Sequence, residues 1–287
     1  MIDFTECAEV FNMYKGSEVK KTLLYNGRRY LVKFPDPVRQ KNKNISYINN
    51  AFSEYVGSNI FKITGFEVQN TILGTYKSNN KIKIVCACED FCDENHVLYE
   101  FENLAISSST EKKIGTELSD IMEVIDNNKM KIDKIKFKEY FWNMFIIDSL
   151  IGNTDRHNGN FGFLIDVTNN NITNAPIYDC GSCLSPMLDD NDISKLSDSE
   201  IKNIAVNIYS AIKINDKRIN CFSFISSTCN NECNDAVKRI FNSIDILKIE
   251  EFINNIEGMS LVRKKFYINL IKIRYEIIKD TYNRIVS

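Results

Sequence analysis

Between Leu150 and Leu164 the chain reads Leu-Ile-Gly-Asn-Thr-Asp-Arg-His-Asn-Gly-Asn-Phe-Gly-Phe-Leu, and the patterns on either side leave it few ways to fold. Upstream, Phe137, Tyr140, Phe141, Met144, Phe145 and Ile151 recur at three- and four-residue steps. That spacing predicts an amphipathic helix over about 136–151 with its apolar stripe turned inward, ended by Gly152-Asn153. Downstream, the apolar run 161–165 leads into the turn-rich Asn169-Asn-Asn171. It reads as one strand of a hairpin whose return strand carries Pro176 to Gly181. Helix must therefore pass to hairpin through a polar loop. That loop presents a carboxylate at Asp155 and, five residues on, an amide at Asn160. Asp148 falls on the helix stripe with Phe141 and Met144, so it must be hydrogen-bonded or paired, and it reads as a structural brace for the loop. His157 reads as a residue that fixes the loop.

The Asp155 to Asn160 spacing is that of a kinase catalytic loop, in which the Asp takes the proton of the substrate hydroxyl and the Asn holds Mg²⁺. A second acid, Asp179, sits in a hydrophobic-Asp-Xaa-Gly setting nineteen residues after Asn160. Kinases place there the Asp that binds metal between the ATP phosphates. Phosphoryl transfer needs all three groups, because charge spreads over the phosphate oxygens and the metal must be clamped from the protein side. A turn built only from Asn and Asp needs neither the spacing nor the second acid.

The region before this loop reads as β-rich. Thr22–Tyr25 and Arg29–Lys33 flank Asn26-Gly27, a pair with tight-hairpin chemistry. Lys15-Gly16-Ser17 and the residues to Lys21 are a candidate phosphate-covering loop, since Gly16 lets backbone N–H groups approach an anion and Ser17 adds a hydroxyl. With one glycine it reads, on its own, as a solvated loop. A helix over about 46–61 carries Glu54, the natural partner for Lys33, since a kinase orients its phosphate-binding lysine with a helix glutamate. Residues 66–73 and 81–88 alternate as a second antiparallel pair. Glu89 to Asp93 is a connector whose backbone could pair with adenine.

Beyond it the chain turns mostly helical, with helices over about 116–127 and from the capping box Ser197-Asp-Ser-Glu200 to about Ile212. Residues 107–113 and 221–233 read as loops, and 235–286 as a helical bundle. Arg263-Lys-Lys265 reads as a solvated helix face. The fold class is α+β, a bilobal protein-kinase-like fold with a β-rich ATP-binding lobe over 1–92 and a helical catalytic lobe over 93–287.

Composition narrows the function class. A chain of 287 residues suits one domain with two lobes. A net charge of -2 argues against a general nucleic-acid binder. Nine cysteines, an odd number scattered through a chain too large to need a disulfide framework, point to reduced thiols in a cytoplasm. Cys86-Ala-Cys88 with Cys92 and His96 suggests zinc by residue type, but the first pair is too close together for a finger and no second cysteine pair follows, so the thiols read as buried. Met1 to Glu6 lacks the basic start and apolar stretch of a signal peptide. The most apolar window, 141–151, is broken by Asn143 and Asp148 and is too short to span a bilayer.

Read together, several segments resemble the HipA-like serine/threonine kinases. They are Gly16-Ser17 before a hairpin, Leu31-Val-Lys33-Phe-Pro, Ser53-Glu54-Tyr, Cys88-Glu-Asp-Phe91, Ile151-Gly-Asn-Thr-Asp155-Arg-His-Asn-Gly-Asn160, and Pro176-Ile-Tyr-Asp179-Cys-Gly. The resemblance runs from about residue 14 to the C-terminus. It implies ATP and Mg²⁺ as cofactors, Asp155 as base, Asn160 and Asp179 as metal ligands, and Lys33 on the phosphates. It also implies the Glu89 and Phe91 backbone on adenine and a protein Ser or Thr as acceptor; from the charge and the short apolar window, neither nucleic acid nor membrane is expected as a partner. Full-length toxin members carry an extra N-terminal subdomain, whereas this chain begins almost at the phosphate loop. A dedicated antitoxin partner is therefore the least supported implication. The Asp155 loop also resembles that of phosphoinositide kinases, whose basic membrane-facing loops contrast with the acidic Asp189-Asp-Asn-Asp192 here. A nucleotide-binding module without turnover would usually have lost one of Lys33, Asp155, Asn160 and Asp179. Ser46, in the basic connector after Lys33, is an autophosphorylation candidate or else the N-cap of the following helix.

Overall fold

The turn at Asn26-Gly27 has positive φ at both residues, 50° and 77°, the conformation whose twist suits a two-residue hairpin. The structure, a computed structural model, describes residues 1–11, 20–36, 48–78, 80–108 and 115–287. Its first strands are β1 (Ile2–Asp3), β2 (Ala8–Val10), β3 (Lys20–Tyr25) and β4 (Arg28–Lys33). With β5 (Thr71–Ser78) and β6 (Lys81–Glu89) they form a six-stranded sheet in the order β1-β5-β6-β4-β3-β2. Alternation along β6 sorts its side chains. Val85 and Ala87 join Phe4, Leu23, Tyr30, Val32 and Phe34 on one face, and Cys86 and Cys88 meet Ala51 of helix α1 (Asn50–Ile63) on the other.

Helix α1 begins four residues later than the spacing predicts, with Asn49 as its N-cap, so Ser46 is not the cap of this helix. Ser46 itself lies outside the described residues. Ala51, Phe52, Val56 and Ile60 are buried as the stripe requires. At Gly57 a side chain is impossible without movement, because a Cβ would lie 2.8 Å from Cys180 Cβ and 2.9 Å from Cys183 Sγ. The helix therefore lies flush against the second lobe.

Residues 66–70 depart from the expected strand. Phe66 stacks edge-on against Phe61, Gln69 N–H donates to the Ile177 carbonyl at 2.8 Å, and Ile177 N–H donates to the Glu67 carbonyl at 2.8 Å. Val68 thus bridges Ile177 in parallel, and the segment pairs with the second lobe instead of extending β5.

After Glu89 come β7 (His96–Glu100), α2 (Phe101–Ser108), α3 (Leu118–Asn127), α4 (Lys134–Ile151), β8 (Gly162–Asp166) and β9 (Asn171–Asn174). β7, β8 and β9 form an antiparallel sheet. The return strand ends at Asn174, short of the expected Pro176 to Gly181, because Pro176 has no N–H to donate and Ile177 bonds to 67–69 instead. Then follow α5 (Asp190–Ser194), α6 (Asp198–Val206), β10 (Tyr209–Ile214), β11 (Lys217–Asn220), α7 (Cys221–Ser227), α8 (Asn231–Phe241), α9 (Ile246–Asn254) and α10 (Leu261–Val286).

The Ser197 capping box forms, but α6 stops at Val206. Residues 209–214 instead pair with β11 across Asn215-Asp216, both with positive φ, 53° and 62°. The expected loop 221–233 contains α7 and the start of α8, capped by the side chains of Asn220 and Asn230. Arg263, expected on a solvated face, is buried and pairs with Asp190 at 2.7 Å. The main core lies in this lobe around α4, where Phe137, Phe141, Trp142 and Phe145 are buried. Among the described residues no helix is long and apolar enough to cross a membrane.

Candidate active site

Helix α4 ends on Gly152, whose φ of 68° places it in the left-handed region a C-cap uses. The chain then folds back on the helix. Asn153 N–H donates to the Asp148 carbonyl at 2.8 Å, and its side-chain amide donates to Asp148 Oδ1 at 2.9 Å. Asp148 is buried and takes two further bonds from Arg156, Nε to Oδ2 at 2.9 Å and Nη2 to Oδ1 at 3.1 Å. The remaining Arg156 nitrogen, Nη1, donates to the carbonyls of Asn160, at 2.8 Å, and of Tyr178. One buried guanidinium thus ties the end of α4 to the end of the loop and to the residue before Asp179.

Within that frame Asp155 is exposed at the loop tip. Asn160 is buried, and its side-chain N–H donates to the Asp155 carbonyl at 2.8 Å, which fixes the amide so that its oxygen is the atom left to present. His157 tightens the turn, accepting the Gly159 N–H on Nδ1 at 3.0 Å while its own N–H donates to the Asp155 carbonyl at 2.8 Å.

Lys33 and Glu54, which the sequence pairs, meet with Nζ 2.7 Å from Glu54 Oε2. The same Nζ is 2.7 Å from Asp179 Oδ1. Glu54 is fully buried, and its second oxygen accepts the Cys180 N–H at 3.0 Å, which anchors strand, helix and second lobe to one carboxylate. Asp179 has a φ of 54°, a left-handed conformation that Asp tolerates better than most residues. Burial is the strongest single influence and pushes its carboxyl pKa up, but the charge and hydrogen bond of Lys33, with the charges of Arg156 and His157, together outweigh it and hold the net position below the usual value. Asp155 is held above the usual value. Partial desolvation in the cleft and the charge of Asp179 raise it, against His157, Arg218 and Arg156, which lower it.

The connector is arranged differently at its two expected contact points. Glu89 N–H donates to the Asn70 carbonyl at 2.8 Å and the Glu89 carbonyl already accepts Gln69 Nε2 at 2.9 Å, leaving that oxygen one lone pair. Its carboxylate pairs with Arg28 at 2.6 Å. Among the described residues the Phe91 backbone has no partner, and its ring lies 5.8 Å from that of Tyr178. Gly16 and Ser17 lie outside the described residues.

Lys33, Glu54, Asp155, Asn160 and Asp179 therefore converge from five points in the sequence. The Asn160 amide oxygen and the Asp179 carboxylate are hard oxygen donors. Together with substrate phosphates, such a pair fits the sparse protein ligation usual for Mg²⁺. Sequence reasoning missed Arg156, whose signal was a buried acid on the helix stripe with no cation assigned to it. It also missed Arg218, whose Nη2 donates to the carbonyl of Thr154, the residue before Asp155.

Residues 15–245 match the family model of the HipA-like C-terminal domain. The chain is 41% identical to the serine/threonine-protein kinase CtkA of Helicobacter pylori over 290 residues, covering 97% of this chain and 86% of that protein. The crystal structure of a Helicobacter pylori proinflammatory kinase CtkA superposes with a TM-score of 0.85 at 39% identity, covering 99% of this chain and 98% of that one. HipA of Shewanella oneidensis MR-1, solved as a toxin–antitoxin system with HipB and operator DNA, shares the fold. Its TM-score is 0.56 at 13% identity, covering 94% of this chain and 67% of that one.

Proposed function

The chain belongs to the HipA-like C-terminal domain family, and on that premise we propose that it is a serine/threonine protein kinase using ATP and Mg²⁺. The observation that carries the reading is the joint placement of Lys33, Glu54 and Asp179 by one group of bonds and of Asp155 and Asn160 by another, the two joined by Arg156 through the Tyr178 carbonyl. Bound Mg²⁺-ATP supplies the transferable phosphoryl group and the cation that offsets its charge. Toward it, Lys33 presents an ammonium held in place by Glu54, and Asp179 and Asn160 offer the oxygens that hold the metal. Asp155 accepts the proton of the attacking Ser or Thr hydroxyl. The Phe91 backbone and the second lone pair of the Glu89 carbonyl would hold adenine, and the phosphate-covering role of Gly16 with Ser17 falls outside the described residues. The lobes divide near residue 92. The acceptor is a protein, and the nine free thiols suit a reducing cytoplasm.

Asp179→Ala should remove the Mg²⁺ dependence of nucleotide binding, since the phosphates lose a metal ligand while Lys33 keeps Glu54. Nucleotide titrations with and without Mg²⁺ read this directly; an unchanged metal dependence in the variant would mean that Asp179 is not a ligand.

A pH profile gives a second test. A base works ionised, so activity falls as pH drops through its pKa. With Asp155 raised, the acid limb of kcat/KM should lie above 3.8, the ordinary aspartate value. A limb at or below that value would remove Asp155 as the base it reports.

A further inference from the structure

We propose that Arg218, on the β10–β11 hairpin, binds an anionic side chain of the acceptor protein beside the target Ser or Thr, so that the enzyme prefers acidic acceptor sites. The proposal rests on the kinase reading above and names its substrate class.

The hairpin is a fixed platform. Thr116 Oγ1 donates to the Ala211 carbonyl at 2.5 Å, and Lys213 N–H donates to the Thr116 carbonyl at 2.8 Å. The Glu117 carboxylate accepts the turn N–H groups of Asn215 and Asp216 at 2.7 and 3.1 Å. Asn158 of the catalytic loop reaches the same segment, donating to the Gly115 carbonyl at 2.9 Å. The hairpin and the Asp155 loop are therefore built against one shared strip of chain.

Arg218 completes the junction. Its Nε donates to the Ser210 carbonyl at 2.7 Å, and Nη2 donates to the carbonyls of Tyr209, at 3.0 Å, and Thr154. A guanidinium has five N–H groups. Three are spent, and the two on Nη1 have no acceptor among the described residues. All three partners are neutral carbonyls, so they orient the cation without neutralising it. Arg28, Arg29, Arg156, Arg239 and Arg263 each pair with a carboxylate.

A second observation points the same way. Lys213 is the cross-strand partner of Arg218, so two like charges face one side of the hairpin, an arrangement that destabilises a sheet by itself. Neither has an ion-pair partner among the described residues, and although the Arg218 charge is felt at Asp155, an incoming anion would relieve the repulsion between the two cations. With the loop tip next in sequence to Thr154, that anion would sit beside the attacking hydroxyl. Tyr209, exposed on the same hairpin, offers a ring for the rest of the peptide.

The experiment uses the full chain and a library of serine peptides in which each position from three before to three after the serine holds Glu, phosphoserine, Gln or Lys in turn. Wild type should favour Glu over Gln at one position by about tenfold or more in kcat/KM, with the phosphoserine arm showing whether a phosphate serves better than a carboxylate. That ratio should fall to about one in Arg218→Ala and turn toward Lys in Arg218→Glu. Because the ratio is taken within one variant, any loss from a displaced Thr154 cancels. Acceptor KM should carry the change and nucleotide KM should not. Phosphotransfer without acidic preference, or a preference that survives Arg218→Glu, overturns the docking role alone. A rise in nucleotide KM with the preference intact assigns the arginine to nucleotide and also overturns it. Absence of phosphotransfer from wild type to every peptide and to the chain itself overturns the kinase reading together with the docking role.

Discussion

Asp155→Asn is expected to lower turnover by about 10²–10⁴-fold while nucleotide still binds. The substitution keeps the shape of the side chain and removes only its ability to take a proton. The bonds that place residue 155 are made by its backbone. Its N–H donates to Asn153 Oδ1 at 3.1 Å and its carbonyl accepts from Asn160 and His157, and none of these changes in the variant. Lys33 and Glu54 stand apart from the change, so binding and chemistry should separate. Single-turnover phosphotransfer and a nucleotide dissociation constant measured on the same sample would show the split. Near wild-type phosphotransfer would sink the assignment of Asp155 as base.

The second large effect is on stability. Asp148→Ala should destabilise the fold by about 3–5 kcal/mol, because it strands the Arg156 guanidinium as a buried charge without its counterion. Both side chains are almost wholly excluded from solvent, at 6% and 3% exposure, so water cannot take over the lost bonds. Folded domains have only about 5–15 kcal/mol in total, so the variant should unfold at much lower denaturant. Replacing both partners with apolar residues of similar size should cost less than removing Asp148 alone, the signature of a stranded charge. Urea unfolding of the single and double variants decides it. A loss under about 1 kcal/mol for Asp148→Ala would mean that Arg156 finds other partners.

Much of the site was readable from residue order. The apolar spacing of Phe137, Phe141, Met144 and Phe145 placed α4, and Asn26-Gly27 placed the hairpin that ends at Lys33. The burial and pairing expected of Asp148 are what the structure has. What escaped was pairing between distant segments, which has no local period. Residues 66–70 alternate well enough for a strand, but their partner is Ile177. Tyr209 to Ile214 follows a helix so directly that it reads as the helix's continuation. Only the left-handed Asn215-Asp216 turn and the pairing with 217–220 decide for a strand. Pro176 was misplaced because the return strand was extended through a residue that cannot donate. The roles of Arg156 and Arg218 depend on carbonyls from several segments, and carbonyls leave no mark in a sequence.

The bond from the Cys180 N–H to Glu54 sets the order in which the site can arise as the chain leaves the ribosome. Domains form N-terminal first during synthesis, and all six strands of the first sheet are complete at Glu89. At that moment Glu54 has Lys33 but no Cys180, Gln69 has no Ile177, and the flat Gly57 face of α1 has nothing to lie against. A nascent chain halted between Glu89 and Cys180 therefore has all six strands of the sheet but lacks the Cys180 N–H that Glu54 accepts and the surface against which Gly57 lies. The full set of contacts among Lys33, Glu54, Asp179 and Cys180 is made only when the second half of the polypeptide arrives. Until then the face of α1 at Gly57 lacks Cys180 and Cys183, the residues it packs against.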